Sequence, residues 1–352
     1  MTPLRIAFDA RLWGRTGIGR YLVELCRALI AAGEGVQIVL AGAPPLEGDW
    51  PHTSRMPFDA PIYSLKEQLF GAMALSKAMR NADLLHLPHY NVPLAVPRPY
   101  VLTVMDLIQF KFPDEFGRMK VAMARRVLRR AVNGAHVVVA PSESTRRGLS
   151  EFFPDCQHKL RVVPLGVSSF FRPAGAEGPA REEGLGRFLL SVAARKRYKN
   201  WETVRLAYQR LRPSYGDLKL VCVGEGRIEP RDGEIHLGYV SDERLRSLYQ
   251  AGVCLLFPSL YEGFGLPVLE AMACGCPVVC SRGSSLDEIA GPASTCEATD
   301  AGAIASAVAE LLEEPAANRR RRVEAGLVHA GRFRWRDTAR RMLEIYRSVG
   351  SI

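Results

Sequence analysis

The sequence predicts an α/β protein built from two doubly wound parallel sheets. Short β-branched runs alternate with helical stretches from one end to the other, which is the pattern of parallel sheets covered by helices. The length of 352 residues suits about two domains. A cluster of Gly and Pro with little periodicity predicts a linker at 167–186. The predicted domains are therefore 1–166 and 187–336.

The first domain is predicted to contain buried strands, because its apolar runs are short and rich in β-branched residues. These strands are Arg5–Phe8, Val36–Leu40, Leu84–Leu87, Tyr100–Val104, His136–Val139 and Arg161–Val163. Apolar residues at helical spacing over Ile18–Ala31 predict the first crossover helix, and Gly33 supplies a left-handed cap.

The second domain repeats the rhythm of strand and helix. Its predicted strands are Phe188–Val192, Leu220–Val223, Ile235–Leu237, Val253–Phe257 and Val278–Cys280. Its predicted helices are Trp201–Leu211, Ser241–Ala251, Pro267–Cys274, Ala301–Glu313, Arg319–Ala330 and Asp337–Val349. Ser241 is expected to cap the second of these, since its hydroxyl can accept from free N–H groups.

The chain is basic, with 47 Lys and Arg against 37 Asp and Glu and a formal net charge of +10. This excess favours an anionic partner, namely a phosphorylated substrate, nucleic acid or an acidic membrane surface. Nucleic acid is disfavoured because no recognised nucleic-acid-binding module accompanies the basic runs near the C-terminus. The first residues run straight into a strand, and no run of 18 apolar residues follows. We therefore expect a soluble, cytoplasmic protein.

The eight cysteines lie mostly inside apolar runs and are expected to be reduced core residues. Three of them, Cys274, Cys276 and Cys280, are close in sequence, but they form no C-x-x-C pair and no spaced histidines accompany them. A zinc site needs such spacing. We expect no metal.

Ligands of open parallel sheets bind at the carboxyl ends of strands, so the loops that follow strands carry the candidate chemistry. After the first strand, Gly17 and Gly19 could let backbone N–H groups approach a phosphate, although a tight turn needed only for packing is the alternative. After the first strand of the second domain, Arg195 and Lys199 could neutralise a diphosphate. A solvated basic loop is the alternative there.

The segment Pro258–Pro277 is the most informative, since Pro267 suits the first turn of a helix and Gly275 its end. Glu270 is expected in the first turn, ionised and ready to accept hydrogen bonds from sugar-type hydroxyls. A plain N-terminal acid of the helix is the alternative. Glu262, in the preceding loop, could face the same cavity.

The E-x7-E spacing of Glu262 and Glu270 inside SLYEGFGLPVLEAMACGCPVV resembles the signature of family 4 glycosyltransferases, which are retaining enzymes of the GT-B fold. Further matches occur in order along nearly the whole chain, and they are Asp9–Arg11 with Gly17–Tyr21, Val163–Val167, Arg195 with Lys199–Asn200, Gly238–Val240 and Phe333–Trp335. Within this family, the matching motifs most resemble those of bacterial mannosyltransferases of surface-polysaccharide assembly. The resemblance implies two Rossmann-like domains facing across a cleft, with helix 337–350 completing the N-terminal, acceptor domain.

The resemblance also implies a role for each matching residue. Arg195 and Lys199 would carry the donor diphosphate, Glu270 the ribose, and the backbone of Gly238, Tyr239 and Val240 the base. Glu262 would contact the transferred sugar together with the N–H groups of the residues that follow it, Gly263, Phe264, Gly265 and Leu266. Gly17 and Gly19 would close over the phosphates from the N-terminal side.

The chain departs from the family pattern at one place. Many relatives read T-V-H-D-L where this chain reads Thr103-Val104-Met105-Asp106-Leu107, and Met105 cannot donate the histidine's hydrogen bond. His86 or His89 could substitute, and Asp106 could orient the acceptor. Each of the three could equally be an ordinary loop or core residue.

The expected reaction, by resemblance, is a retaining hexosyl transfer from a nucleotide-sugar to a glycan or lipid-linked acceptor, in which the donor phosphate takes the acceptor's proton. No Asp-x-Asp sequence is present, so we expect protein cations to replace a metal. GDP-mannose is the first expectation for the donor, followed by UDP-glucose and UDP-N-acetylglucosamine. An epimerase or phosphorylase of the same architecture and a non-catalytic nucleotide-sugar-binding protein are the alternatives.

The basic excess has a second candidate use in residues 118–131, which read as a basic amphipathic helix. Such helices can lie on anionic bilayers. The alternative is a solvated helix whose apolar side packs in the core.

Overall fold

The computed structural model describes residues 3–14, 16–33, 35–58, 60–62, 64–175, 182, 184–192, 196–224 and 229–351, without the side chains of Thr16 and Leu65. The chain divides into two compact units. The N-terminal unit consists of Met1–Gly166 and Arg334–Ile352, and the C-terminal unit is Val167–Phe333. Part of the predicted linker, at 176–181 and 183, lies outside the described residues.

The strands of the N-terminal unit are β1 (Leu4–Asp9), β2 (Val36–Ala41), β3 (Thr53–Met56), β4 (Leu84–Leu87), β5 (Tyr100–Thr103), β6 (Val137–Ala140) and β7 (Leu160–Val162). Those of the C-terminal unit are β8 (Phe188–Val192), β9 (Lys219–Val223), β10 (Glu234–Gly238), β11 (Leu255–Phe257), β12 (Val278–Ser281) and β13 (Ser294–Cys296).

The helices of the N-terminal unit are α1 (Thr16–Ala31), α2 (Leu65–Met79), α3 (Ile108–Lys111), α4 (Pro113–Phe116), α5 (Arg118–Gly134) and α6 (Glu143–Phe152). Those of the C-terminal unit are α7 (Trp201–Leu211), α8 (Asp242–Ala251), α9 (Leu266–Ala273), α10 (Leu286–Ile289), α11 (Ala301–Glu313) and α12 (Ala316–Ala330). The last helix, α13 (Trp335–Gly350), belongs again to the N-terminal unit.

Both sheets are parallel and doubly wound, so the predicted fold class is confirmed. The first has the strand order β3-β2-β1-β4-β5-β6-β7 and the second β10-β9-β8-β11-β12-β13. In each, the chain first builds outward on one side of its opening strand and then on the other. The direction therefore reverses between β1 and β4 in the first sheet and between β8 and β11 in the second. Such switch points leave a crevice at the carboxyl ends of the two strands.

Two observed strands, β3 and β13, are absent from the sequence prediction. Both lie at sheet edges, and their sequences, TSRM and STC, are largely polar. Edge strands face solvent and lack the apolar runs that mark buried strands. The central strands agree closely with prediction, because β1, β4 and β5 are buried over most of their length.

Helix α13 is part of the N-terminal core. Met342 and Tyr346 are fully buried, and the helix packs on α1 and on the central strands. Thr338 donates from Oγ1 to the carbonyl of Pro164 at 2.8 Å. A Cβ at Gly166 would lie 2.3 Å from the backbone nitrogen of Trp335. A glycine is therefore required where the chain leaves the first sheet.

All eight cysteines are free thiols, and seven of them are buried, as the sequence predicts. Burial raises the pKa of Cys254, Cys274 and Cys280 to about 12. These thiols are therefore protonated core residues. Within the described ranges, no helix combines the length and the apolarity needed to cross a bilayer.

Candidate active site

Lys199 and Glu262 meet at the switch point of the second sheet. Lys199 ends a 3₁₀ turn that follows β8, and Glu262 lies in the loop after β11. Lys199 Nζ lies 2.7 Å from Glu262 Oε1, with 17% and 10% of the two side chains exposed. This partly buried ion pair places one cation and one carboxylate at the carboxyl ends of the strands, where open parallel sheets bind their ligands.

The two loops that carry this ion pair are fastened to each other. The N–H of Leu260 donates to the carbonyl of Tyr198 at 2.7 Å. The amide of Asn200 donates to the carbonyls of Pro258 at 3.0 Å and Ala298 at 2.6 Å. Asn200 adopts a left-handed backbone conformation with φ 58°, which Asn tolerates better than most residues. Lys199 is thus positioned by backbone contacts as well as by its carboxylate partner.

Two serines that the sequence analysis missed hold the Glu262 loop from the other side. Ser285 Oγ donates to the carbonyls of Glu262 at 2.9 Å and Phe264 at 2.8 Å. Ser284 Oγ accepts from the N–H of Glu262 at 3.2 Å. Both serines follow β12, which pairs with β11, so the rule that sites lie after strand ends would have found them.

The loop leads into α9 as predicted, but Glu270 does not lie in the first turn of that helix. Pro267 lies at the helix start and no acidic residue occupies the first turn. The expectation was wrong because the helix begins at Leu266, one residue before Pro267, which leaves Glu270 in the second turn. Its side chain is buried, and Tyr249 donates to Oε2 at 3.5 Å. Gly275 ends the helix with φ 80°.

The other predicted donor residues have different surroundings. Arg195 lies outside the described residues. Gly238 ends β10 with φ 65°, Tyr239 is 82% exposed and Val240 is buried. Phe264 is buried, and Gly265 has φ 107° and no room for a Cβ beside Leu286. The exposed Tyr239 and its tight glycine turn are available to a flat ligand such as a base.

A cavity of about 810 Å³ opens beside the Lys199 turn. Its walls come from the loops after β8 and β9 and from the first turns of α7, and they include Lys196, Arg197, Asn200, Trp201, Arg205 and Arg231. Arg205 is itself fixed by Glu234, with Nε 2.8 Å from Oε1. The lining also includes Glu202 and Glu229, and Trp201 is largely buried, so the cavity is polar and carries charges of both signs.

In the N-terminal unit, the two candidate glycines differ. A Cβ at Gly19 would lie 2.1 Å from the carbonyl oxygen of Leu12, whereas a Cβ at Gly17 would meet nothing within 4 Å. Packing alone therefore explains Gly19. Gly17 keeps open space, and its predicted phosphate contact stays a prediction.

Two of the candidate acceptor residues have local partners. Asp106 accepts at 3.0 Å from the N–H of Ile108, the first residue of α3. His86 is fully buried on β4: Nε2 lies 2.8 Å from Thr103 Oγ1, and Nδ1 is paired with the hydroxyl of Tyr346. Burial lowers the pKa of His86 to about 3. Both ring nitrogens are occupied, so His86 has the surroundings of the core histidine that was the alternative interpretation.

His89 belongs to a buried polar cluster at the switch point of the first sheet, which we call the Asp9 cluster. Its members are Asp9, Arg11, Glu67, His89 and Asn91. Burial acts to raise the pKa of Asp9, but hydrogen bonds and charge from Arg11 and His89 outweigh it and hold that pKa well below its usual range. The sequence analysis singled out Asp9 and Arg11 only as a matching motif and missed Glu67 and Asn91. The Ser64-x-x-Glu67 capping pattern marks only the start of α2 and does not indicate the contacts of Glu67 with Arg11 and Asn91.

No group of three or more His, Cys, Asp or Glu side chains in the described part of the chain is arranged to hold a metal ion.

Comparison with known proteins identifies the family. The model for Glycosyltransferase Family 4 matches residues 15–169, and the model for Glycosyl transferases group 1 matches residues 180–327. O-antigen chain mannosyltransferase B of Escherichia coli is 27% identical over 94% of this chain and 96% of its own length. An MMP alpha-(1->4)-mannosyltransferase of Mycolicibacterium hassiacum is 31% identical over 64% of this chain and 56% of that protein. Among solved structures, sucrose-phosphate synthase from Thermosynechococcus elongatus superposes with a TM-score of 0.75 over 100% of both chains at 21% identity, a likeness of fold. The chain belongs to the glycosyltransferases, with an N-terminal half of Family 4 and a C-terminal half of group 1.

Proposed function

We propose that this glycosyltransferase transfers a mannosyl group from GDP-mannose to a hydroxyl of a glycan or lipid-linked acceptor, with retention of configuration and without a metal ion. The observation that carries the proposal is the Lys199–Glu262 ion pair at the switch point of the second sheet. It supplies a cation for a diphosphate and a carboxylate for sugar hydroxyls within 2.7 Å of each other.

In this proposal the C-terminal unit stabilises the negative charge of the leaving diphosphate. As the bond to the anomeric carbon breaks, negative charge develops on the leaving diphosphate. Lys199 and the N-terminal end of α9 are positive groups that are already in position, so they need little reorganisation during the reaction. Arg195 would add a second cation. The acceptor oxygen bonds to the anomeric carbon on the face from which the diphosphate leaves, which gives retention, and the departing diphosphate oxygen takes the proton of that hydroxyl, so no protein base is needed.

Donor binding must rearrange the Lys199–Glu262 pair. In the free protein, the ammonium group is neutralised by the carboxylate; a bound diphosphate would take over the ammonium and leave Glu262 free to accept hydrogen bonds from sugar hydroxyls. The buried Glu270 is the proposed ribose ligand. The cavity of about 810 Å³ beside Lys199 and the exposed Tyr239 turn are the proposed surroundings of the nucleotide.

The choice of mannose is supported by the names of the relatives, since the proteins from Escherichia coli and Mycolicibacterium hassiacum described above are both mannosyltransferases. UDP-glucose and UDP-N-acetylglucosamine remain the alternative donors. We propose the N-terminal unit as the acceptor domain, with Asp106 as a residue that orients the acceptor.

Thermal stabilisation by GDP, UDP and their sugar conjugates tests the donor site, because a ligand that binds only the folded state raises its apparent stability. We expect GDP and GDP-mannose to raise Tm and UDP to have a smaller effect. The shift should disappear in Glu270→Ala and Lys199→Ala but persist in Lys111→Ala, a lysine whose partner Glu151 is exposed. Mannosyl transfer should continue in EDTA. Strict dependence on Mg²⁺ would contradict the metal-free mechanism, and the absence of any shift at millimolar nucleotide would contradict the donor site.

We further propose that the N-terminal unit binds anionic membranes. Helix α5 exposes Arg118, Lys120, Arg125, Arg126 and Arg129 together with Met119 (85% exposed) and Met123 (67%). Helix α2, which packs against the same core, exposes Leu69, Phe70 and Met73. The exposed methionines of the basic helix α5, with further exposed apolar residues on α2, match the chemistry of a bilayer surface with acidic headgroups.

Sedimentation with vesicles of phosphatidylcholine alone or with added phosphatidylglycerol tests this surface. We expect binding only to the anionic vesicles, weakened by Arg125→Glu with Arg126→Glu and by salt. The pair Arg320→Glu with Arg321→Glu makes the same charge change on exposed residues of α12 and serves as the control. Equal binding to both kinds of vesicle, or equal losses in both double variants, would contradict the proposal.

A further inference from the structure

The Asp9 cluster contains a buried histidine nitrogen with no partner. His89 is 6% exposed, and its Nδ1 makes no hydrogen bond within the described ranges. Asp9 Oδ2 lies 3.4 Å from Nε2 of the ring. The Nε2 edge therefore faces an anion, while Nδ1 is left over. Buried polar atoms are rarely left without a partner in native proteins, so Nδ1 calls for a ligand.

The position of the cluster is that of a binding site. Asp9 is the last residue of β1, and His89 follows the end of β4 by two residues. These strands are neighbours, with Phe8 opposite His86, and the winding of the first sheet reverses between them. Ligands of doubly wound sheets bind at this place. The orphaned nitrogen and the topology are thus two independent observations on the same pair of strand ends.

The rest of the cluster fixes His89 through Asp9. Arg11 binds both oxygens of Asp9, with Nε 2.8 Å from Oδ1 and Nη2 2.6 Å from Oδ2. Arg11 Nη2 also lies 2.8 Å from Glu67 Oε1, and Asn91 donates to Glu67 Oε2 at 2.7 Å. The carboxylate that faces His89 is thus held in a chain of four polar side chains, which fixes the orientation of the imidazole ring.

The charges of the cluster indicate which ligand group fits. Two carboxylates face one guanidinium, so the cluster has no excess positive charge whether His89 is neutral or protonated. It is therefore unsuited to a phosphate. A hydroxyl suits Nδ1 in both protonation states, because it can donate to a lone pair and accept from an N–H. The ligand class is a neutral, hydroxyl-bearing molecule such as a sugar.

We propose that His89 binds a hydroxyl of the acceptor sugar through Nδ1, with Asp9 and Arg11 as its positioning residues. The inference rests on the proposed function, in which the N-terminal unit is the acceptor domain. It selects His89 over His86, whose ring nitrogens are both occupied. It also explains how the chain can lack a histidine at Met105, since a different strand end supplies the imidazole.

Two substitutions distinguish the contribution of Nδ1 from that of Nε2. His89→Gln can place an amide N–H near the Nε2 position, facing Asp9, but offers nothing at Nδ1. His89→Asn can place an amide near Nδ1 but loses the contact with Asp9. With octyl α-D-mannopyranoside as the acceptor probe and GDP-mannose as donor, we expect His89→Gln to raise KM for the probe about tenfold, the loss of one hydrogen bond. KM for GDP-mannose should stay the same, and His89→Asn should recover part of the loss.

A readout that needs no turnover completes the test. In the full chain labelled with ¹⁵N-histidine, the His89 resonances are assigned by their loss in His89→Gln among the seven histidines. Addition of octyl α-D-mannopyranoside should shift Nδ1 of His89 and leave His86 unchanged. The inference is overturned if GDP still raises Tm while the probe leaves the His89 resonances unshifted. It is also overturned if KM for the probe does not differ between His89→Gln and His89→Asn. If GDP has no effect on the wild-type chain, the proposed function fails instead.

Discussion

Replacing Lys199 by alanine is expected to lower kcat/KM for mannosyl transfer about 10²- to 10³-fold, the usual effect of removing one preorganised group that stabilises developing negative charge. Two effects act together. The diphosphate loses a cation. In addition, the carboxylate of Glu262, whose side chain is only 10% exposed, loses its ion-pair partner and repels the anionic donor. Initial rates with varied GDP-mannose measure the change.

A double variant distinguishes these two effects. Lys199→Met with Glu262→Gln removes both charges, so donor affinity should return toward the wild-type value while kcat stays low. Lys111→Ala is the matched control, because it breaks an exposed Lys–Glu pair of the same type; exposed pairs contribute little. Equal rates in Lys199→Ala and Lys111→Ala would show that Lys199 takes no part in the reaction.

Replacing Arg11 by methionine is expected to cause the largest loss of stability, about 3–5 kcal/mol at neutral pH. Asp9 and Glu67 are both 0% exposed and both depend on this guanidinium. Unfolding in urea can be followed by tryptophan fluorescence in a Trp201→Phe background. The other three tryptophans, Trp13, Trp50 and Trp335, all lie in the N-terminal unit, so the signal reports on that unit alone.

The pH dependence of the same variant has a predicted sign. In the wild-type chain the pKa of Asp9 is lowered from 3.8, so its contribution is fully present above pH 3.8 and is lost below it. Without Arg11, the burial that acts to raise the pKa of Asp9 loses its main opposing contact, and the variant should regain stability as the pH falls from 7 toward 4. Adding Asp9→Asn and Glu67→Gln should restore stability at neutral pH. A pH profile parallel to that of the wild type would contradict the assigned role of Arg11.

The sequence predicted the fold class and the location of Lys199 and Glu262 because both depend on local signals. Buried strands are apolar runs, and polar residues directly after them lie at the carboxyl edge of the sheet. The edge strands β3 and β13 carry no such signal. The position of Glu270 depended on a helix boundary, and an error of one residue moved its side chain to another turn.

The Asp9 cluster could not be predicted in the same way. Its carboxylates come from β1 and α2 and its imidazole from the loop after β4, so only the strand order brings them together. Nothing near Glu67 in sequence distinguishes it from an ordinary acid in the first turn of a helix, since it follows the capping residue Ser64, which accepts from the N–H of Glu67. The partners of Ser284 and Ser285 were hidden for the same reason, since each contacts a loop more than 20 residues earlier.

The return of α13 to the N-terminal unit sets an order for folding during synthesis. The C-terminal unit, Val167–Phe333, is one continuous stretch and can fold as soon as it leaves the ribosome. The first sheet is made earlier, but the surface that receives Met342 and Tyr346 stays uncovered until the last helix emerges. We therefore expect the half synthesised first to mature last, and nascent chains ending at Phe333 to be selectively cut by protease within the N-terminal unit.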